Sequence, residues 1–315
     1  MNARSTLWAG SLSIFSVYIL LYMYSEVRPI RSPYFLLKDP AQSAWIQEQE
    51  RRRSVLRRAC GKSNSKETTV HSYKNLVEVN RPEMNHLLVD DKHRVIYCFL
   101  PKVGCTNWKK VFMILSGISN VTQINDIDNS SPHLLIGNMQ LITSSNEDEP
   151  IAHKLANYTK FIVVRHPFER LISAYFDKIH HKGGIPSMQQ KVLPFVRKEI
   201  RSNATLSDIT WPEFVSFVVR RGGRLDDHWM PYETLCFPCR VDYDYILKFE
   251  TLDEDSEELL RAIGAPDHIH FPRRKPKTNT SLIEQLQNDL TPEQKIGIFH
   301  YFANDYYMFD YSIPV

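Results

Sequence analysis

From about residue 71 to its end, the chain alternates short apolar runs with longer amphipathic ones. Residues 94–100 (RVIYCFL) and 161–164 (FIVV) are too short for helices and too apolar for a surface, so both predict buried strands. A helix is predicted after each, at 108–115 (WKKVFMIL) and at 168–179. Residues 212–221 (PEFVSFVVRR) follow Thr210, a candidate N-cap, and carry proline at their start, both helix-opening signals. Thr291-Pro292-Glu293 opens another helix, expected to run to about Ala303. The polar stretches 119–131 and 143–150 read as loops, and there is no internal repeat or low-complexity tract. Strands separated by helical segments predict an α/β fold, a central parallel sheet flanked by helices.

Before this region the pattern changes. Residues 7–24 (LWAGSLSIFSVYILLYMY) hold no charge and no proline, and at a helical rise they span about 27 Å, enough for a thin bilayer core. They predict a signal-anchor transmembrane helix. Arg4 before it favours a cytoplasmic N-terminus, although Arg28 and Arg31 follow on the other side. A cleaved signal peptide fits less well, because the run is long for one and no A-x-A site follows. The expected organisation is a cytoplasmic tail at 1–6, the anchor at 7–24, a stem at 25–70 and a lumenal globular domain at 71–315. Within the stem, the charged run 47–58 (QEQERRRSVLRR) predicts a solvated helix, rather than a surface for anionic glycans or lipid headgroups. Residues 60–69 read as a linker. Candidate glycosylation acceptors at Asn120, Asn129, Asn157, Asn203 and Asn279 all lie downstream of the apolar run, as a lumenal domain requires.

Composition adds little beyond this. A net charge of +3 is mild, so a basic binding surface must be local, and nothing points to nucleic acid. Five cysteines leave at least one without an internal partner, and Cys105 is the candidate. Cys236 and Cys239 lack the second close pair that a structural zinc site needs, so a disulfide or structural pair is expected and no metal. His180-His181 reads as an exposed turn before Gly183-Gly184.

The first segment with chemistry is Pro101-Lys102-Val103-Gly104-Cys105-Thr106-Asn107, between a predicted strand and a predicted helix. Such a junction aims backbone N–H groups and the positive end of a helix dipole at one point, a natural phosphate site. Gly104 allows close approach of the backbone; Thr106, Asn107 and Lys102 add donors and charge. It is not a Walker A loop, which disfavours a kinase or NTPase. The second segment is Arg165-His166-Pro167-Phe168-Glu169-Arg170-Leu171-Ile172-Ser173. Arg165 stands at the C-terminal end of a predicted strand, where open parallel sheets bind ligands, and its planar fork suits a phosphate.

Together these segments resemble the two donor-binding elements of the sulfotransferases. Asp227-His228-Trp229, Leu235-Cys236-Phe237-Pro238-Cys239, the run 243–252 (YDYILKFETL) and the ending 307–314 (YMFDYSIP) are similar to the Golgi carbohydrate sulfotransferases related to the HNK-1 and chondroitin/dermatan 4-O enzymes. The resemblance runs in order over about 95–315. It departs at His166, where many relatives have Glu, and at Gly104, where relatives often carry another small residue. It implies a P-loop-like sulfotransferase core, 3′-phosphoadenosine 5′-phosphosulfate (PAPS) as donor, a glycan acceptor such as chondroitin or dermatan GalNAc, and a Golgi membrane location. Residues 101–107 would hold the 5′-phosphosulfate, with Lys102 neutralising the leaving phosphate; residues 165–173 would grip the 3′-phosphate, chiefly through Arg165 and Ser173. A histidine suits the base that takes the acceptor proton, and His228 stands ahead of His153 for it. The basic cluster Arg273, Arg274, Lys275 and Lys277 is a candidate for the 3′-phosphate or an anionic acceptor. A non-catalytic glycan-binding relative is the other class, against which the intact Lys102, Thr106, Arg165 and Ser173 speak.

Overall fold

The computed structural model describes residues 40–61, 70–119, 121, 123–134, 141–144, 148–180, 182–222, 226–273 and 280–313. The expected anchor at 7–24, Asn120, Asn279 and most of the 273–277 basic cluster lie outside them. Among the described residues no helix is long and apolar enough to cross a membrane. The chain divides into residues 1–44 and a body of residues 45–315; of the first, only the opening turn of a helix at 40–44 is described.

Among the described residues the body is built on four strands, β1 (Leu87–Asp90), β2 (Val95–Cys98), β3 (Thr159–Val164) and β4 (Tyr245–Lys248), adjacent in that order. The chain is α/β as expected, but the sheet is mixed rather than parallel: β2, β3 and β4 run together and β1 runs against them. The reason is chain length, since only residues 91–94 join β1 to β2 and a parallel return needs a dozen residues or more. Asp90 Oδ1 accepts from the Lys92 N–H at 3.0 Å to close that turn. Tyr97 lies opposite Phe161 and stacks on it at 4.6 Å, and Trp108 tilts against the same ring at 4.6 Å. Strands covered on both faces read as continuous apolar runs, which is why their sequence shows no alternation.

The longer helices among the described residues are α1 (Pro40–Ala59), α2 (Val70–Asn80), α3 (Cys105–Leu115), α4 (Asp148–Asn157), α5 (Pro167–Ala174), α6 (Pro186–Glu199), α7 (Trp211–Arg221), α8 (Leu252–Ala262), α9 (Thr280–Asn288), α10 (Pro292–Tyr301) and α11 (Ala303–Met308), with short helices at Ser131–Leu134 and Tyr232–Cys236. The Thr210 hydroxyl accepts from the Glu213 N–H, and the Glu213 carboxylate accepts from the Thr210 N–H at 2.8 Å, a reciprocal cap that starts α7 where the sequence places it. The helix expected over 168–179 is α-helical only to Ala174. A π-helical turn, Tyr175–Ile179, continues it, closed by the His180 N–H on the Tyr175 carbonyl at 2.8 Å. A second apolar core of Phe168, Trp211, Phe214, Trp229 and Phe302 forms beside the sheet.

The charged run 47–58 is helical, yet it is not a solvated stem. Within the body, α1 buries Gln49, Arg52 and Leu56. Arg52 donates to Asp255 at 2.7 Å and to the Ile246 carbonyl at 2.8 Å, while Trp45 stacks on Tyr245 at 5.2 Å. Residues 45, 49, 52 and 56 share one helical face, and the charges between them hide that stripe in the sequence. Cys60 pairs with Cys239 and Cys98 with Cys236, so the two cysteines of 236–239 are bridged to separate elements and not to each other. Cys105 is the free one.

Candidate functional site

The loop 101–104 leaves the C-terminal end of β2 and enters α3. Two of its residues take left-handed backbone angles, Lys102 at φ 73° and Gly104 at φ 88°. A Cβ at Gly104 would come within 2.7 Å of Leu252 Cδ2, so glycine meets both demands there. Gly104 is also the N-cap of α3, and no side chain caps that end. The Asn107 N–H donates to the Gly104 carbonyl at 3.2 Å, which leaves the amides of Cys105 and Thr106 and the positive end of the dipole for an anion, and Val103 anchors the loop from the core. These features fit a phosphate group.

Arg165 leaves β3 at the same end of the sheet. Its guanidinium is buried, 3.5 Å from the Lys102 carbonyl, 3.1 Å from Glu169 and 4.4 Å from the centre of the Phe249 ring. The two segments singled out in the sequence, 63 residues apart at this contact, therefore meet side by side. Ser173 lies one helical turn beyond Glu169 on the same face of α5. The other predicted contacts in this segment do different work. Pro167, Phe168, Leu171 and Ile172 are buried in the core. Arg170, 1% exposed, donates to the carbonyls of Pro101 at 3.2 Å, Met230 at 2.7 Å and Asp227 at 2.8 Å. Its fork is spent on backbone, so it braces the site rather than reaching a ligand. His166 is tied to the chain end: its N–H donates to Glu250 at 2.9 Å and its Nε2–H to the Ser312 carbonyl at 3.0 Å.

Lys102 Nζ sits 2.9 Å from Asp177 Oδ2 in the π-helical turn, and Lys178 Nζ is 3.1 Å from the same oxygen. Burial pulls the Lys102 ammonium below its ordinary range, against the pairing with Asp177. Burial works upward on Asp177, but the hydrogen bonds and charges of Lys102 and Lys178 outweigh it and hold the carboxyl below the usual value.

Three histidines bear on the choice of a base. His228 Nδ1 is 2.5 Å from Asp226 Oδ1, and Lys191 Nζ is 2.6 Å from the other oxygen. Despite burial, those two partners keep the Asp226 carboxyl down at about 2. His153 is exposed on α4, whose next residue, Lys154, pairs with Asp91 in the β1–β2 turn at 2.8 Å. That turn is at the opposite end of β2 from the loop, so the structure takes His153 away from the site. His133, which the sequence did not single out, comes to it instead: its Nε2 is 3.2 Å from Thr106 Oγ1 on α3. Partial burial, then the charges of Lys109, Lys178 and His228, hold the His133 imidazolium below the usual histidine range. Nothing local marks Ser131-Pro132-His133 as functional; only the fold brings it to Thr106.

Asn129, Asn157 and Asn203 are exposed. Among the described residues no group of three His, Cys, Asp or Glu is arranged to hold a metal ion.

A model described as the sulfotransferase family matches residues 85–312. The chain is 34% identical to carbohydrate sulfotransferase 8 of Mus musculus over 86% of its own length and 66% of the relative's. With carbohydrate sulfotransferase 14 of Danio rerio it shares 34% identity over 84% of itself and 72% of that protein. For carbohydrate sulfotransferase 11 of Rattus norvegicus the figures are 33%, 74% and 68%. The chain thus spans about two thirds of the length of the curated relatives it matches. No solved structure matches it.

Proposed function

The chain belongs to the sulfotransferase family, and from that premise we propose that it transfers a sulfuryl group from PAPS to a glycan hydroxyl, the 4-O position of GalNAc in chondroitin or dermatan. PAPS supplies an activated sulfuryl group on a phosphate leaving group. The observation that carries the reading is the contact of the 101–107 loop with Arg165 at one end of the sheet. In it the loop amides and Thr106 hold one phosphate, and Lys102 stands by the charge that grows on the leaving oxygen. Arg165 and Ser173 orient the donor through its second phosphate. The proton acceptor is His133, whose ring already touches the loop and whose surroundings favour its neutral form. His228, oriented by Asp226, is the second candidate.

The relatives' names support a carbohydrate acceptor. The choice of GalNAc 4-O rests on the motif resemblance, and GlcA 3-O or terminal GalNAc are the alternatives. Disulfides and exposed sequons support a lumenal domain, and the apolar run 7–24 a single-pass type II Golgi anchor. The test is sulfate transfer from labelled PAPS by the full chain onto desulfated chondroitin, heparosan and a GalNAc-terminated glycan. Label at the 4-position of chondroitin GalNAc is expected. Label confined to another acceptor overturns the acceptor, and absence of PAPS binding overturns the activity.

A further inference from the structure

Lys102 is the one lysine of the 101–107 loop, and its ammonium is engaged by a carboxylate that nothing above has used. We propose that Asp177 keeps Lys102 paired when the site is empty, and competes for it with the phosphate groups of the donor and of the product, 3′-phosphoadenosine 5′-phosphate. This rests on the reading of the loop as the donor site.

Three features of the structure support a pair that is made to be exchanged. First, the contact joins the loop to a different element, the π-helical turn after α5, at 2.9 Å. Such turns depart from regular α-helix and recur at functional sites. Second, the pair is not locked in the core: the Asp177 side chain is 45% exposed and that of Lys102 18%. With its carboxylate half open to solvent, the bond gives way to a dianionic phosphate without unfolding anything. Third, Lys178 holds the same Asp177 oxygen at 3.1 Å. When Lys102 turns to a phosphate, the carboxylate keeps a cationic partner and is not stranded, which lowers the cost of the exchange. When the site empties, Asp177 is in place to take Lys102 back. Competition of this kind weakens retention of the product, which still carries the 5′-phosphate that Lys102 would hold.

A carboxylate that merely buttressed the turn, or aimed Lys102 into the site, would have the opposite effect when neutralised. Calorimetric titration of the full-length protein with 3′-phosphoadenosine 5′-phosphate separates the two. Asp177→Asn should bind it roughly three- to tenfold more tightly than wild type, and Asp177→Glu close to wild type. In a Lys102→Ala background, Asp177→Asn should produce no tightening, since the competitor then has nothing to compete for. Unchanged or weakened binding in Asp177→Asn, with a melting temperature like wild type, overturns the proposal while leaving the donor site intact. Failure of wild type itself to bind the nucleotide overturns the donor-site reading, and this inference with it.

Discussion

At Thr106 the imidazole of His133 meets the loop 27 residues away in sequence. Taking an acceptor proton requires the neutral ring, and partial burial and the neighbouring positive charges favour that form. The acid limb of kcat/KM should therefore lie below the ordinary histidine value of about 6.5, with activity full above the limb and lost as pH falls through it. A limb above that value rules His133 out. His133→Gln should lower kcat by roughly 10²- to 10⁴-fold while nucleotide affinity stays within a few-fold. His228→Gln serves as the comparison; a larger loss there than in His133→Gln moves the role to the ring held by Asp226. Of the side chains proposed for the site, Lys102, Thr106, Arg165 and Ser173 were singled out from motif and position. His133 was not, because a lone histidine in a polar stretch carries no periodicity and no spacing signal.

Between elements, Arg170 is the joint. It projects from α5 and binds carbonyls of the loop after β2 and of the segment leading into the Tyr232–Cys236 helix. Lysine offers no planar fork, so Arg170→Lys leaves buried carbonyls unsatisfied. A loss of about 3–5 kcal/mol is expected in denaturant unfolding, with weaker nucleotide binding as the loop loosens. An unchanged midpoint would mean that the three bonds do not brace the site. The sequence shows α5 as amphipathic with an arginine in it; it does not show that the arginine points inward, since inward polar groups are set by what faces them. The π-helical turn after α5 was equally hidden, because apolar spacing alone reads as one helix.

For the whole molecule, the boundary at residue 71 moves. The Arg52–Asp255 bond and the Cys60–Cys239 bridge join α1 to β4, α8 and the 236–239 segment. A chain beginning at residue 71 loses the bridge and leaves Asp255 buried without that charge partner. It should be less stable than a chain beginning at residue 40 by roughly 3–5 kcal/mol under oxidising conditions. Equal denaturation midpoints would show that α1 contributes nothing. Reductant should erase part of the difference, because the bridge closes a long loop only while oxidised.

The sequence by itself determined the α/β class, two of the three strands of the parallel set, the capped starts of α7 and α10, and the two segments that meet at one end of the sheet. Those are local properties: apolar run length, cap residues, glycine where the backbone turns left. Tertiary structure decided the antiparallel β1, the partners of four cysteines, the burial of a charged helix face, and the placing of His133 and Asp177 beside the loop while His153 went to the far end. Each of these depends on which distant surfaces come into contact. Charge and residue type along the chain do not encode that until the core has folded.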